Sequence, residues 1–114
     1  MWKSLNSQDQ FIDLLSQSKE EATLPFVVFK HSTKCSISSM ALNRLETKMS
    51  LLEKEQFDLY KLDLIQHRDV SNSIATELGV EHQSPQVLVI KSGVCVYNES
   101  HMGIDVETLI ENIR

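Results

Sequence analysis

The sequence predicts an α/β fold, a four-stranded mixed sheet flanked by helices on both faces. Three observations carry that prediction. Segments with helical periodicity alternate with apolar β-forming runs. The run Phe26-Val27-Val28-Phe29 is apolar without alternation, as a strand covered on both faces should be. The last two strand candidates are joined by Ser92-Gly93 alone, a two-residue hairpin connection.

Each element follows in order. Ser7-Gln8-Asp9-Gln10 has the form of a capping box, and Phe11, Leu14 and Leu15 then recur at helical spacing. Pro25 opens the first strand, which runs from Leu24 to Lys30; a proline is tolerated there because its missing N–H falls outside the ladder. From Cys35 to about Lys54, Ile37, Met40, Ala41, Leu45, Met49 and Leu52 make one helical stripe. Phe57 to Ile65 is a second strand. Val70, Ile74 and Leu78 mark a helix over Asp69–Leu78, with Gly79 as the residue that ends it. Gln86–Lys91 and Val94–Glu99 form the hairpin, and Val106, Leu109, Ile110 and Ile113 a last helix from Asp105. Strand–helix–strand units imply parallel pairs with right-handed crossovers, and the closing hairpin adds an antiparallel pair. The order resembles the thioredoxin-like arrangement.

Composition narrows the function classes. The chain has 114 residues, enough for one domain over residues 1–114. A formal charge of −5 without basic patches argues against nucleic acid as a partner. No secretory signal and no long apolar span occur, so a cytoplasmic protein without a membrane segment is expected. Two cysteines exclude a four-cysteine metal site within one chain, and the histidine spacings match no standard zinc pattern; no bound metal or cofactor is expected.

The most informative segment is Lys30-His31-Ser32-Thr33-Lys34-Cys35-Ser36-Ile37-Ser38. A buried strand ends, a polar turn follows, and Cys35 falls at the first turn of a helix. The free N–H groups and positive partial charge there favour thiolate over thiol, and Lys34 adds a nearby positive charge. The thiolate is the form that attacks a disulfide. Ser38 stands where Cys-x-x-Cys enzymes carry their second thiol. Its hydroxyl can donate a hydrogen bond to Cys35 but cannot form a disulfide, so the site is a monothiol one. Fifty residues later, Ser84-Pro85 precedes a strand. In thioredoxin-like proteins a proline so placed is cis and faces the active cysteine. The Ser84 backbone would then pair with an incoming substrate strand.

These strings, with Glu81-His82-Gln83-Ser84-Pro85-Gln86 and Ser100-His101, resemble the YtxJ family of monothiol bacilliredoxins over nearly the whole chain. The family's Thr-x-Cys-x-x-Ser site is matched by Thr33, Cys35 and Ser38. Ser36 and Tyr97 depart from it, standing where proline and tryptophan are common. The resemblance implies a thiol–disulfide oxidoreductase that removes bacillithiol from S-bacillithiolated client proteins. Cys35 is its nucleophile and Ser38 its neighbour in the catalytic pair. Thr33, Lys34, Ser84, Pro85 and His101 line the substrate. Bacillithiol serves as thiol co-substrate, and a second bacillithiol or a partner redoxin or reductase resolves the mixed disulfide. The competing function is an iron–sulfur or thiol-ligand carrier, or an adaptor, on the same fold; against the carrier, Ser36 replaces the small glycine that such sites place after the cysteine.

The remaining candidates have plainer roles. With a two-residue turn, Ile90 pairs with Cys95 and Leu88 with Tyr97, which puts Cys95 in the core under a helix and far from Cys35. His31, His82 and His101 lie near the Cys35 end, and each could tune the thiol or bind an anionic ligand. His67 is expected in a solvent-facing loop. Gly103 is either a close-approach point in the groove or a linker. Asp63 is a strand-end residue, with proton shuttling as the alternative. Glu53–Glu55 reads as a solvated helix end.

Overall fold

A computed structural model describes Met1–Arg114. The sheet has five strands, not four: β1 (Trp2–Ser4), β2 (Phe26–His31), β3 (Asp58–Asp63), β4 (Gln86–Lys91) and β5 (Val94–Ser100), in the order β1-β3-β2-β4-β5. The extra strand is β1. Three residues are too short to show a period, so nothing in Trp2-Lys3-Ser4 announces a strand. It forms because β3 offers a free edge, along which β1 pairs in parallel. Lys3 is salt-bridged to Asp58 at 2.9 Å, and the Trp2 ring packs 5.9 Å from that of Phe29. β2 is parallel to β3 and antiparallel to β4, and β5 closes the hairpin.

Helices α1 (Gln8–Ser18) and α4 (Arg68–Leu78) cover one face of the sheet. Helices α2 (Ser36–Thr47) and α5 (Val106–Ile113) cover the other. Strand alternation divides the core between them. Phe26, Val28, Leu62, Leu88 and Ile90 join Phe11, Leu15, Val70 and Ile74. Val27, Phe29, Leu59, Val87 and Val89 join Ala41, Leu45, Leu109 and Ile113. All six β2 residues are buried: Phe26–Phe29 as the apolar run requires, and Lys30 and His31 with them.

The helix ends follow the sequence signals. Ser7 Oγ accepts the Gln10 N–H at 3.1 Å, while the Gln10 side chain reaches back to the Asn6 N–H at 2.8 Å. Asp105 caps α5 through the Thr108 N–H at 3.0 Å. Gly79 ends α4 at φ 66°, a left-handed conformation that glycine adopts without penalty.

Three local expectations change. The stripe from Cys35 to Lys54 is not one helix. Lys48 leaves helical geometry (φ −110°, ψ 22°), and a short α3 (Met49–Leu52) turns Leu52 fully into the core. Nor is the charged run after it wholly solvated, because Glu55 accepts from the Arg114 guanidinium at 3.0 and 3.3 Å. In the hairpin, Ile90 does pair with Cys95, but Tyr97 pairs with Val89 rather than Leu88. A β-bulge between Val89 and Ile90 accounts for the shift. It sends Cys95 to the α1/α4 face and Tyr97 to the α2/α5 face.

Candidate active site

β2 delivers the chain to the site. After His31 the segment turns tightly, with the Cys35 N–H donating to the Ser32 carbonyl at 3.2 Å. Cys35 is the N-cap of α2, one step outside the first turn in which the sequence placed it; its φ of −112° and ψ of 120° are extended. Its carbonyl starts the helix by accepting the Ser39 N–H at 3.0 Å. The N-cap is the position whose side chain meets the open N–H groups of the first turn. The sulfur makes no capping hydrogen bond here, and the half-buried thiol is unpaired. Thr33 and Lys34 lie exposed in the turn before it.

Ser38 does not do what the sequence suggested. Its side chain is fully buried, and its hydrogen bonds go away from Cys35. Ser38 Oγ accepts the Ser32 N–H at 3.0 Å and lies 2.7 Å from His31 Nδ1. His31 is buried and stacks on Phe29 at 5.6 Å. Burial pushes its pKa below the ordinary histidine value, and the Lys61 charge adds to that. A neutral His31 protonated on Nε2 lets the Ser38 hydroxyl donate to Nδ1 while accepting from Ser32. Ser38 is thus a brace for the Ser32–Cys35 turn. A helix N-terminus packed over a buried strand end has two inward polar groups to satisfy, and this pair satisfies both.

The second wall comes from the β4–β5 hairpin. Lys30 is paired with Gln86, and Gln86 with Ser100, so Pro85 and His101 lie at the carboxyl end of β2, the end that leads to Cys35. The Ser84–Pro85 peptide bond is cis and Pro85 is buried. The Pro85 carbonyl accepts the His101 N–H at 3.0 Å. Arg44 of α2 donates to the His101 and Ile104 carbonyls, each at 3.2 Å, and so ties the turn at His101–Gly103 to the helix that Cys35 caps. The Ser84 hydroxyl is buried without a partner. Gly103 lies in the turn that links β5 to α5, with the Glu99 side chain 2.7 Å from where a Cβ would stand.

Other candidates have structural roles. Asp63 Oδ1 accepts the Ile65 and Gln66 N–H groups at 3.0 and 3.3 Å, which makes it a turn cap. His67 is the half-buried N-cap of α4 rather than a loop residue in solvent. Cys95 is half-buried on an edge strand rather than sealed under a helix. Its thiol donates to the Tyr97 carbonyl at 3.2 Å, and burial pushes its pKa up. Cys95 pairs with Ile90 and Ile90 with Phe26, at the opposite end of β2 from His31. At about 3.3 Å per residue that is on the order of 16 Å, well beyond the roughly 7 Å that a disulfide spans between Cα atoms.

Sequence reasoning missed Lys30. It is fully buried and points to the α4 face, where its amine donates to the Ser71 carbonyl at 3.3 Å and lies 3.4 Å from His82 Nδ1. Burial drives its pKa down to about 8. His82 is also lowered, by burial first and by the Lys30 charge second. The signal was present: a lysine inside a strand covered on both faces has no solvent side to reach.

Comparison with known proteins agrees with this geometry. A solved structure described as an oxidoreductase with a thioredoxin fold is 30% identical, covering 99% of this chain and 94% of its own, with a TM-score of 0.82. Thioredoxin from Trypanosoma brucei brucei is 13% identical at a TM-score of 0.74, covering 100% of this chain and 88% of its own. Thioredoxin NaTrxh from Nicotiana alata is 20% identical at 0.71, covering 98% and 89%. The two thioredoxins share the fold. Residues 3–109 match the family described as monothiol bacilliredoxin BrxC. A thioredoxin-like sheet, a cysteine capping the helix after its central strand and a match over nearly the full chain lead to one conclusion: this protein belongs to the monothiol bacilliredoxin family of thioredoxin-fold oxidoreductases.

Proposed function

We propose that this protein removes bacillithiol from S-bacillithiolated proteins by two thiol–disulfide exchanges at Cys35. The Cys35 thiolate attacks the bacillithiol sulfur of the mixed disulfide. The Cys35–bacillithiol bond forms, the client–bacillithiol bond breaks, and the client leaves as a reduced thiolate. A second thiolate, from another bacillithiol or a partner redoxin or reductase, then attacks the bacillithiol sulfur bound to Cys35. Cys35 is released reduced, and the oxidising equivalent leaves as a disulfide. The Ser84 backbone beside Pro85 pairs with the client strand. Thr33, Lys34 and His101 meet the polar groups of bacillithiol, and Ser38 acts through the turn it braces rather than by touching sulfur. The reducing cytoplasm is where such a thiol cycle would run.

The observation that carries this reading is the separation of the two thiols. Cys35 is half-buried at a helix N-cap, while Cys95 lies at the far end of the sheet. No internal disulfide can discharge Cys35, so the resolving thiol must come from outside. The test follows release of bacillithiol from a modified client by mass spectrometry. Wild-type protein and Cys95→Ala should release it at similar rates, and Cys35→Ala should not. A Cys35→Ala variant that still restores the client would sink the mechanism.

A further inference from the structure

Lys30 is the most anomalous side chain in the molecule. It is fully buried, and none of the salt bridges involves it. A buried charge without a counter-charge is costly, and a packed hydrophobic residue of similar size is often the more stable choice. What lysine supplies is donors. Its amine bonds the Ser71 carbonyl in α4 and faces Nδ1 of His82, which also lies 3.0 Å from Ser71 Oγ. His82 belongs to the short segment Glu81–Pro85 that leads into β4. A second buried side chain reaches the same segment. Gln86, the direct cross-strand neighbour of Lys30, donates to the Glu81 carbonyl at 3.1 Å. Polar groups from two central strands and one helix thus converge on the five residues that end in Ser84-Pro85. The other charged group acting on His82 is Arg68, at the start of α4. Its charge, like that of Lys30, keeps His82 neutral and its Nδ1 open as an acceptor.

We propose that Lys30 and His82 are positioning residues that hold the Glu81–Pro85 segment in the conformation in which the Ser84 backbone receives a disulfide-bearing client. The inference rests on the reading that Cys35 exchanges with a client paired along Ser84. Neither residue touches sulfur, so their loss should weaken client capture and leave the thiol chemistry intact.

Three variants test it: Lys30→Met, His82→Ala and His82→Asn, whose Oδ1 takes the place of Nδ1. Lys30→Met should melt at or above the wild-type temperature, yet its KM for a bacillithiolated peptide should rise about fivefold or more, on the order of one lost hydrogen bond. Its kcat and the alkylation rate of Cys35 by iodoacetamide should stay within about twofold of wild type. His82→Ala should raise KM likewise with kcat and alkylation unchanged, and His82→Asn should recover most of the loss. Amide hydrogen exchange across residues 81–86 should quicken in Lys30→Met and His82→Ala. Wild-type KM together with wild-type exchange in Lys30→Met would overturn the proposal. So would an alkylation rate that falls in step with the loss of turnover. If the wild-type protein itself leaves the peptide modified, the proposed function fails, and the exchange data alone decide whether Lys30 and His82 hold the segment.

Discussion

Lys30 and His31 are neighbours in one strand, and the sheet sends them to opposite faces. Both are buried polar residues beside the candidate site. On the α2 face, His31 works within a local circle: its partner Ser38 is seven residues away, and Ser38 in turn holds the N–H of Ser32. That cluster is neutral. On the α4 face, Lys30 works at long range, with Ser71 and His82 at separations of 41 and 52 residues. That cluster carries a positive charge with no acid to balance it. One side of the strand shapes the turn that presents the cysteine. The other holds the segment proposed to present the client. The two follow different rules: removing a member of the neutral cluster leaves unpaired groups, whereas removing the lysine relieves a penalty.

The sharpest way to break this contrast is to delete one side chain from each cluster. Ser38→Ala leaves the half-buried Ser32 N–H and the buried His31 Nδ1 without a partner, and at roughly 1–3 kcal/mol for each orphaned group the protein should lose about 2–6 kcal/mol in urea unfolding. Lys30→Met should change stability with the opposite sign. A fall in the amine's pKa from 10.5 to about 8 corresponds to a penalty of about 3 kcal/mol at neutral pH, an upper bound on the gain because the hydrogen bonds go too. Equal losses in the two variants would end the distinction.

Titration sharpens it further. The lowered Lys30 pKa means that between about 8 and 10.5 the unfolded chain holds a proton the native state has released. That difference contributes rising stability as pH climbs through this window, and Lys30→Met should lose the contribution. His31 and His82 are lowered from 6.5, so below that pH the unfolded chain takes up protons that the native state resists. Unfolding midpoints should therefore fall between pH 7 and pH 5, and less steeply in His31→Asn, an effect smaller than that of either deletion. Smallest of all is Cys95→Ala. A half-buried thiol on an edge strand should cost about 1 kcal/mol or less, with turnover unchanged; a large loss of turnover would bring Cys95 back toward the mechanism.

Much of this was legible in the chain because local rules decided it. The Ser7 cap, the left-handed Gly79 and the Asp105 cap each follow from a side chain acting within one turn. The unbroken apolar run of β2 foretold burial on both faces. The misses share a cause, which is long-range geometry. β1 exists only because β3 has an edge to fill. The bulge that separates Cys95 from Tyr97 depends on how two strands twist together, which no single strand records. Ser38 stood at the right spacing to face Cys35, but spacing cannot say which way a hydroxyl turns when a buried histidine competes for it.

The sequence by itself determined the alternation of strands and helices, the cysteine at a helix start and the proline before a strand. Each depends on backbone preferences over a few residues. Only the tertiary structure decided that Cys35 caps its helix from outside, that Ser38 turns inward to His31, and that a lysine in the central strand reaches across to His82. Those contacts join residues distant in the chain, and burial sets their energies. Burial is a property of the assembled fold, so the short-range pattern could mark Lys30 as misplaced without saying what it holds.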